Sequence, residues 1–286
     1  MKAKKLYQQL EKDFIKPSLK DDWKERMRPI FSFITKNFKK RSMGLVCDNA
    51  DEIHKVYTAV FPTREVMLAI LNKNESGVML FIHHPAVWDI TKAPNVFQSM
   101  DKDLLKKFRQ KRIAIYNLHV PLDNYGRHST SVSLAKALGI KPVKAFAPYF
   151  GGLAGVFGKT KLKTVKALIK KIEKVVHHKV KLYSYGTNQI KNGKVALIAG
   201  GGNMPEEISN IAKADINTFI TGVTRLSKNH KPFVKAHFLL KRLKINLIGA
   251  THYSTEKFAC MAMCRYFLKL GLPSEFIGGK PGLEDL

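Results

Sequence analysis

Three apolar runs of strand length end in residues that can bind a metal ion, and these runs constrain the fold most strongly. They extend from Val78 to Pro85, from Ile113 to Asp123 and from Ile245 to Glu256. Apolar runs of this length, separated by amphipathic helices, are typical of buried parallel strands. In open α/β sheets, ligands bind at the carboxyl ends of the strands. The sequence therefore predicts that the three polar ends share one metal site.

The order of the other patterns predicts the fold class and a first division of the chain. Strand and helix patterns alternate throughout, as in an α/β protein. At 286 residues the chain is long enough for one large domain or for two smaller lobes. The glycine-rich, aromatic stretch 145–158 predicts a lobe boundary. Residues 1–28 have a helical pattern broken at Pro17, which predicts an appended helical layer.

The strong positive charge admits two interpretations. The formal net charge is +28, and 40 of the 50 basic residues are lysine. Lysine suits sequence-independent attraction to polyanions better than base-specific recognition, which favours arginine. Nonspecific nucleic acid is therefore one expected partner. The alternative is a lysine-rich surface that is simply solvated, and the lysines between Leu162 and Val176 are most simply the solvated face of an amphipathic helix.

Membrane insertion and secretion are not indicated by the sequence. No apolar run approaches the roughly 18 residues that a spanning helix needs. The first ten residues lack the apolar core of a signal peptide. Three cysteines do not suggest a disulfide framework. We therefore expect a cytoplasmic protein with no membrane partner.

The His83–His84 pair is the first candidate for metal binding. Neighbouring side chains in a strand point to opposite faces, so both histidines can share a site only if the chain turns there. Pro85 favours such a turn because it ends regular pairing. The alternative is a pair of histidines satisfied by hydrogen bonds in the core. A second pair, His177–His178, follows a basic helix and is predicted to lie at the surface.

The remaining candidates come from the other two runs. His252 and Glu256 are four residues apart, so a helix that begins near Tyr253 would place them on one face. The alternative for Glu256 is a carboxylate that only stabilises a helix start. Asp123 follows His119 after a proline-containing turn, and an ordinary turn aspartate is its alternative. His119 is a candidate for proton transfer or for orienting a ligand.

The combined donor set limits the metal without identifying it. Imidazole nitrogen and carboxylate oxygen without sulfur suit Zn, Mn, Fe, Co or Ni. Five donors exceed the needs of a closed tetrahedral site, which favours two divalent ions that share a carboxylate. Such ions lie about 3.5–4 Å apart and can hold a bridging hydroxide and clamp a phosphate or amide.

These motifs, in this order, resemble a known family. The matching segments are Gly44–Val46, His83–Pro85, Tyr116–Asp123, Phe219–Gly222 and His252–Glu256. They are similar to those of the NGG-one-interacting-factor-three-like family, also called dinuclear metal centre hexameric proteins or GTP cyclohydrolase I type 2 homologues. The resemblance covers most of the chain after the N-terminal helix.

The resemblance implies a ligand set, an architecture and an assembly. The implied ligands of a two-metal centre are His83, His84, Asp123, His252 and Glu256, with Glu256 suggested as the bridge. The implied fold has two related α/β lobes with mixed, largely parallel sheets, and a metal site at strand carboxyl ends between the lobes. We assign 29–142 with 240–286 to the metal-site lobe and 143–239 to the second lobe. Family members resemble toroidal hexamers, so a homohexamer is expected.

The sequence departs from the family pattern at three places, none of them a proposed ligand. Thr251 stands where the family usually has glycine, and Val223 where it often has glutamate. Residues 127–131 replace an asparagine-containing stretch. These differences bear on the substrate pocket.

A glycine-rich segment, Gly200–Gly202, joins a predicted strand to a predicted helix. Its spacing fits neither a P-loop nor a dinucleotide-binding fingerprint. A tight structural turn is the favoured interpretation, and an anion subsite at the helix start is the alternative.

Two functions from different classes follow from these features. The first is a metal-dependent hydrolase of a small phosphorylated or nucleotide-like substrate, with metal-bound hydroxide as the nucleophile. The second is a ring protein that binds nucleic acid or handles metal without catalysis. Chelation distinguishes the hydrolase from nucleic-acid binding, because only the hydrolase requires the ions for its activity.

Overall fold

The computed structural model describes residues 1–226 and 231–286, which form two compact units. Unit 1 comprises Met1–Asp123, Phe150–Gly152 and Ala259–Lys280, and unit 2 comprises Asn124–Tyr149, Leu153–Phe258 and Pro281–Leu286. Both units are α/β, as the alternating sequence patterns predict. None of the helices in the described residues is long and apolar enough to cross a membrane.

Unit 1 is built on a mixed five-stranded sheet. Its strands are β1 (Gly44–Cys47), β2 (Lys55–Ala59), β3 (Val78–Ile82), β6 (Ile113–Asn117) and β13 (Ser274–Phe276). The spatial order is β1-β6-β3-β2-β13. In this sheet only the β1–β6 pair is antiparallel. The two polar-ended runs of unit 1 therefore follow strands, β3 and β6, that run in the same direction. A small antiparallel ribbon of β4 (Val87–Trp88) and β5 (Phe97–Gln98) completes the strands of this unit.

Helices cover both faces of the unit 1 sheet. They are α1 (Ala3–Phe14), α2 (Lys24–Met27), α3 (Lys36–Arg41), α4 (Arg64–Leu71), α5 (Lys102–Gln110) and α6 (Val120–Asp123), with 3₁₀ turns at Arg28–Phe33 and Ile90–Lys92. Successive residues of β3 alternate between two apolar cores, as the period of a strand requires. Leu80 packs with α4 and α5, whereas Phe81 packs with α1 and the second half of the last helix.

Unit 2 contains a mixed six-stranded sheet. Its strands are β7 (Lys141–Tyr149), β8 (Gly152–Lys159), β9 (Lys181–Tyr183), β10 (Lys194–Ile198), β11 (Thr218–Thr221) and β12 (Asn246–Gly249). The order is β7-β8-β10-β11-β12-β9. The central strands β10, β11 and β12 are parallel, and their neighbours β8 and β9 are antiparallel to them.

The helices of unit 2 also lie on both faces of its sheet. They are α7 (Thr130–Ala137), α8 (Val165–Val176), α9 (Pro205–Lys213), α10 (Lys231–Arg242) and the first part of α11 (His252–Lys269), with 3₁₀ turns at Lys191–Gly193 and Leu283–Asp285. Leu197 of β10 faces a core shared with α7 and α8, and its neighbour Ile198 faces a core shared with α9 and α10. The alternation therefore fixes which helices lie on each face.

The compact units divide the chain differently from the lobes that the sequence predicts. Residues 240–258 belong to unit 2, whereas the predicted division groups them with 29–142. The physical reason is strand pairing, because β12 pairs in parallel with β11 over four residues. Residues 1–28, predicted as an appended layer, are part of unit 1, since α1 contributes Leu6 and Leu10 to one of its cores.

The glycine-rich stretch 145–158 lies mostly in strands rather than in a linker. It contains the end of β7 and nearly all of β8, joined by a short turn at Phe150–Gly151. Gly155 allows close packing, because a Cβ there would lie 2.6 Å from the ring of Phe146. That ring stacks on Phe157 with centroids 4.0 Å apart. The glycines therefore make room for aromatic rings on a strand.

Candidate metal centre

In unit 1, the backbone after β3 brings two adjacent histidines to one place. His83 N–H donates to Ala59 O (3.2 Å) and His84 N–H to Val60 O (2.9 Å), so the chain stays bound to its neighbour beyond the strand. The two imidazole rings lie with centroids 4.4 Å apart and planes at 69°. Both residues are buried. The prediction that the pair meets at a strand end is therefore confirmed in geometry.

The single turn α6, after β6, supplies two more donors. Asp123 N–H donates to His119 O (3.0 Å), which places the two side chains one turn apart on the same side. Asp123 Oδ1 lies 3.4 Å from His83 Nε2, and Asp123 Oδ2 lies 3.7 Å from His119 Nε2. The proline-containing turn thus directs a carboxylate at two imidazole nitrogens.

The three histidines of unit 1 fit a divalent ion by distance and by chemistry. One ring nitrogen from each of His83, His84 and His119 lies within 4.8 Å of the other two, and all three are buried. His83 Nδ1 is 2.9 Å from Leu118 O, to which it donates, and this leaves Nε2 as the ligand nitrogen. Imidazole nitrogens with a nearby carboxylate are suitable donors for Zn, Mn, Fe, Co or Ni.

Aromatic rings surround His84. Phe61 stacks on its imidazole with centroids 4.8 Å apart, and Phe97 stacks at 5.5 Å. Trp23 meets the same ring edge-on at 5.8 Å. Such apolar walls exclude water and strengthen electrostatic interactions inside the cluster.

In unit 2, the first turn of α11 carries the other two predicted ligands. The helix begins at His252, and His252 Nε2 lies 3.1 Å from Glu256 Oε1. Both residues are buried. His252 N–H donates to Asp285 Oδ2 (2.8 Å), so a carboxylate caps the start of the helix. The prediction that the pair shares one helical face is confirmed, and the helix begins one residue earlier than Tyr253.

Close backbone approaches fix this helical turn in unit 2. Gly200 has φ +76°, and a Cβ there would collide with Glu256 Oε1 and lie 3.3 Å from His252 Nε2. Thr251 adopts φ +63°. A β-branched residue is strained in this left-handed conformation, which glycine adopts readily.

The glycine-rich loop of unit 2 behaves as a structural turn. Gly200 N–H donates to Thr255 Oγ1 (2.9 Å), and Gly202 N–H donates to Thr221 Oγ1 (3.1 Å). These two amides are therefore used within the protein. The first turn of α9 carries Glu206 and Glu207, and burial raises the pKa of Glu207. The anion subsite considered from the sequence lacks support in this geometry.

The second histidine pair, His177–His178, lies in unit 2 after α8. His177 is exposed, whereas His178 is partly buried and its Nε2 lies 2.9 Å from Ser254 Oγ. The surface prediction thus holds for His177 alone.

Two residues near the unit 1 cluster were missed from the sequence. Asp21 contacts His119 Nδ1 with both carboxylate oxygens at 3.1 Å, and Trp23 packs edge-on against His119 with centroids 5.0 Å apart. They lie in the stretch interpreted as an appended helical layer. The sequence did contain a signal for them. Trp23 is one of two tryptophans in the chain, it follows two aspartates, and prolines flank the segment on both sides.

Comparison with known sequences provides independent information. The sequence model of the Duf34/NIF3 (NGG1p interacting factor 3) family matches residues 28–276. The chain is 28% identical over 248 residues to a Pyrococcus horikoshii protein named GTP cyclohydrolase 1 type 2 homolog, covering 85% of this chain and 92% of that protein. A Borreliella burgdorferi protein of the same name is 28% identical over 239 residues, covering 83% and 86% respectively.

Solved structures share the fold. The protein ybgI, described as of unknown function, aligns with a TM-score of 0.72 and 20% identity over 98% of this chain and 100% of that one. TTHA1606 from Thermus thermophilus aligns with a TM-score of 0.67 and 20% identity over 99% and 100%. At these identities the likeness establishes the fold alone.

Proposed function

This chain belongs to the Duf34/NIF3 family, and from that premise we propose that it is a metal-dependent hydrolase with a two-metal centre. The proposed substrate is a small phosphorylated or nucleotide-like compound. The observation that carries the proposal is the buried cluster of His83, His84 and His119 in unit 1, whose ring nitrogens lie within 4.8 Å of one another. Buried imidazoles grouped in this way are typical of metal binding.

The proposed ligands are His83, His84, Asp123, His252 and Glu256, which would hold two divalent ions. Glu256 is the ligand that we propose to be common to both ions, because a carboxylate has two oxygens that can bind metal. The spacing of His252 and Glu256 on one helical turn supports this ligand set further.

Two such ions, when bound, would activate a water molecule and neutralise charge on a phosphoryl group. The protein's own side chains would exclude water from the ions and attract the substrate. The aromatic rings around His84 exclude bulk water, and the excess of lysine draws anionic compounds towards the protein. The name of the relatives makes GTP one substrate to test, alongside other nucleotides and simple phosphoesters.

The direct test compares activity and metal content in matched variants. We expect His84→Ala and Glu256→Ala to lose the bound metal and all turnover while circular dichroism stays native. His177→Ala changes an exposed histidine of unit 2 and serves as the control. Chelation is expected to abolish turnover, and a divalent metal should restore it. Full activity after complete chelation contradicts the proposal.

Assembly and location form part of the same proposal. We propose a toroidal homohexamer in the cytoplasm, supported by the family resemblance and by three cysteines that are all free thiols. Light scattering on the purified protein should give six times the chain mass of 32.4 kDa. A mass of one or two chains would contradict the hexamer without affecting the metal site.

A second candidate function is nonspecific binding of nucleic acid, and one helix favours it. Helix α8 exposes Lys166, Lys170, Lys171 and Lys174, and its one acidic residue, Glu173, already contacts Lys179. Lys166, Lys170 and Lys174 are spaced four apart and form a single basic stripe. Such a stripe can lie along a phosphate backbone without reading bases.

The test of this second function measures affinity for a random DNA duplex at several salt concentrations. Binding through α8 should weaken steeply with salt and should ignore chelation. Changing Lys166, Lys170 and Lys174 to glutamate should remove it. Changing Lys4, Lys5 and Lys12, which are exposed on α1, makes the same change in net charge and is the control. An equal loss of DNA affinity in the two variants would show that binding depends on overall charge and not on α8.

A further inference from the structure

A segment of unit 1 that precedes α2 places a buried carboxylate against the histidine cluster. The Asp21 side chain is 2% exposed, and each of its oxygens lies 3.1 Å from His119 Nδ1. Asp21 Oδ2 also accepts from Val120 N–H (3.3 Å), and Oδ1 accepts from Asp22 N–H (2.9 Å). A buried carboxylate needs donors of this kind, and one of them is the imidazole.

Two neighbouring groups, the Trp23 indole and the Asp21 carboxylate, compete for a hydrogen bond with His119 Nδ1, and this competition determines where the imidazole proton resides. Trp23 Nε1 lies 3.3 Å from the same Nδ1, so Nδ1 could accept from the indole or donate to Asp21. A neutral imidazole carries one proton, and an ionised carboxylate can only accept. The charge-assisted bond is the stronger of the two. The carboxylate of Asp21, at 3.1 Å from Nδ1, is also closer to the ring than that of Asp123, at 3.7 Å from Nε2. The proton therefore resides on Nδ1, and Nε2 keeps its lone pair.

The lone pair of Nε2 is directed at the metal-binding groups of unit 1. His119 Nε2 lies 3.7 Å from Asp123 Oδ2. His83 uses the same arrangement, since its Nδ1 donates to Leu118 O and its Nε2 lies 3.4 Å from Asp123 Oδ1. The two rings differ in the acceptor, which is a neutral carbonyl for His83 and a carboxylate for His119.

The segment that carries Asp21 is held on both sides of the aspartate. Lys20 N–H donates to Phe150 O (3.0 Å), and Trp23 N–H donates to Ser42 Oγ (2.9 Å). The Trp23 side chain is buried. A carboxylate fixed in this way can orient a ring rather than merely follow it.

We propose that Asp21 is a positioning residue for metal binding: it keeps the His119 proton on Nδ1, so that Nε2 joins His83 and His84 as a donor. The proposal rests on the metal-binding part of the proposed function. It also makes a prediction for the metal-free protein, where the proton position can be measured directly. The role of Asp21 can therefore fail separately from the role of the metal.

The first experiment reads the proton position by NMR. Metal-free protein with ¹⁵N-labelled histidine is measured over a series of pH values, the neutral ring is analysed, and His119→Gln identifies the His119 signals. The wild type should show the Nδ1–H tautomer. Asp21→Ala should switch His119 to Nε2–H, because Trp23 Nε1–H then becomes the partner of Nδ1. An unchanged Nδ1–H tautomer in Asp21→Ala overturns the proposal.

The second experiment titrates Co²⁺ against a competing chelator. Asp21→Ala should weaken the affinity by about 10–100-fold, the usual effect of losing a group that orients a ligand. Asp21→Asn keeps the size of the side chain and should shift the affinity in the same direction. Asp22→Ala, at the exposed neighbouring aspartate, should leave it unchanged. Equal affinities in the Asp21 and Asp22 variants contradict the role of Asp21, whereas a wild type without Co²⁺ binding contradicts the proposed function.

Discussion

The donors in unit 1 follow two parallel strands, whereas those in unit 2 lie on one turn of a helix. In unit 1 each ring has a hydrogen-bond partner at its Nδ1, which is Leu118 O for His83 and the Asp21 carboxylate for His119. In unit 2 the orientation comes from the backbone, through the left-handed Thr251, the close Gly200 and the capped N–H of His252. The orientation of the candidate donors in unit 1 therefore depends on their hydrogen-bond partners. In unit 2 it depends on the space around the main chain.

This difference teaches how each group of candidate donors can be disturbed. In unit 1, removing the hydrogen-bond partner of a ring is expected to change the position of a proton. In unit 2, adding a single carbon atom at Gly200 is expected to displace the Glu256 carboxylate, because interiors are close-packed. Experiments on both groups test whether they respond in these distinct ways.

The largest expected effect is on metal content, and it distinguishes a ligand of both ions, Glu256, from a ligand of one ion, Asp123. Glu256→Gln should reduce the metal content from two ions per chain to less than one, because an amide is a poor bridge between two cations. Asp123→Asn should remove one ion and leave the other. Metal analysis of protein purified without chelator measures both. Equal losses in the two variants would contradict the bridging role of Glu256.

The next effect tests the close packing in unit 2. Gly200→Ala should lower the free energy of unfolding by roughly 1–2 kcal/mol because of its positive φ, and should weaken metal binding because the added Cβ collides with Glu256. Gly201→Ala is the matched control, since a Cβ there meets no described atom within 4 Å. Chemical denaturation and metal titration of both variants make the comparison. Similar behaviour of the two would show that Gly200 has no special role.

The smallest effect concerns the cap of α11. Asp285→Ala removes the acceptor of His252 N–H and should cost about 0.5–2 kcal/mol of stability, as the loss of a helix cap does. The exposed neighbour provides the control, and Glu284→Ala should be close to neutral. Thermal unfolding of the metal-free proteins isolates this effect from metal binding. A drop confined to the metal-loaded form would assign Asp285 to the site rather than to the helix.

The elements that the sequence predicts well are those with an unambiguous hydrophobic period. Strand β3 ends directly before His83, as the apolar run indicates. The pairing of His252 with Glu256 follows from helical spacing alone. These features are local, so a few neighbouring residues determine them.

The features that escaped prediction depend on contacts between distant parts of the chain. The glycine-rich stretch 145–158 predicts a lobe boundary, but it lies mostly in strands, where Gly155 makes room for the ring of Phe146 on the neighbouring strand. Asp21 reaches His119 across 98 positions of sequence, so no periodicity can reveal it. The grouping of 240–258 with unit 2 depends on which strand β12 pairs with. Local pattern carries no information about such pairings.

Anomalous X-ray diffraction from crystals grown without chelator, recorded on both sides of the absorption edge of the bound element, tests the central claim most directly. We predict two peaks about 3.5–4 Å apart, as in other paired-ion centres. The side chains of His83, His84, His119, Asp123, His252 and Glu256 should lie within bonding distance of them. Crystals of metal-loaded protein whose peaks lie away from these side chains would contradict the account.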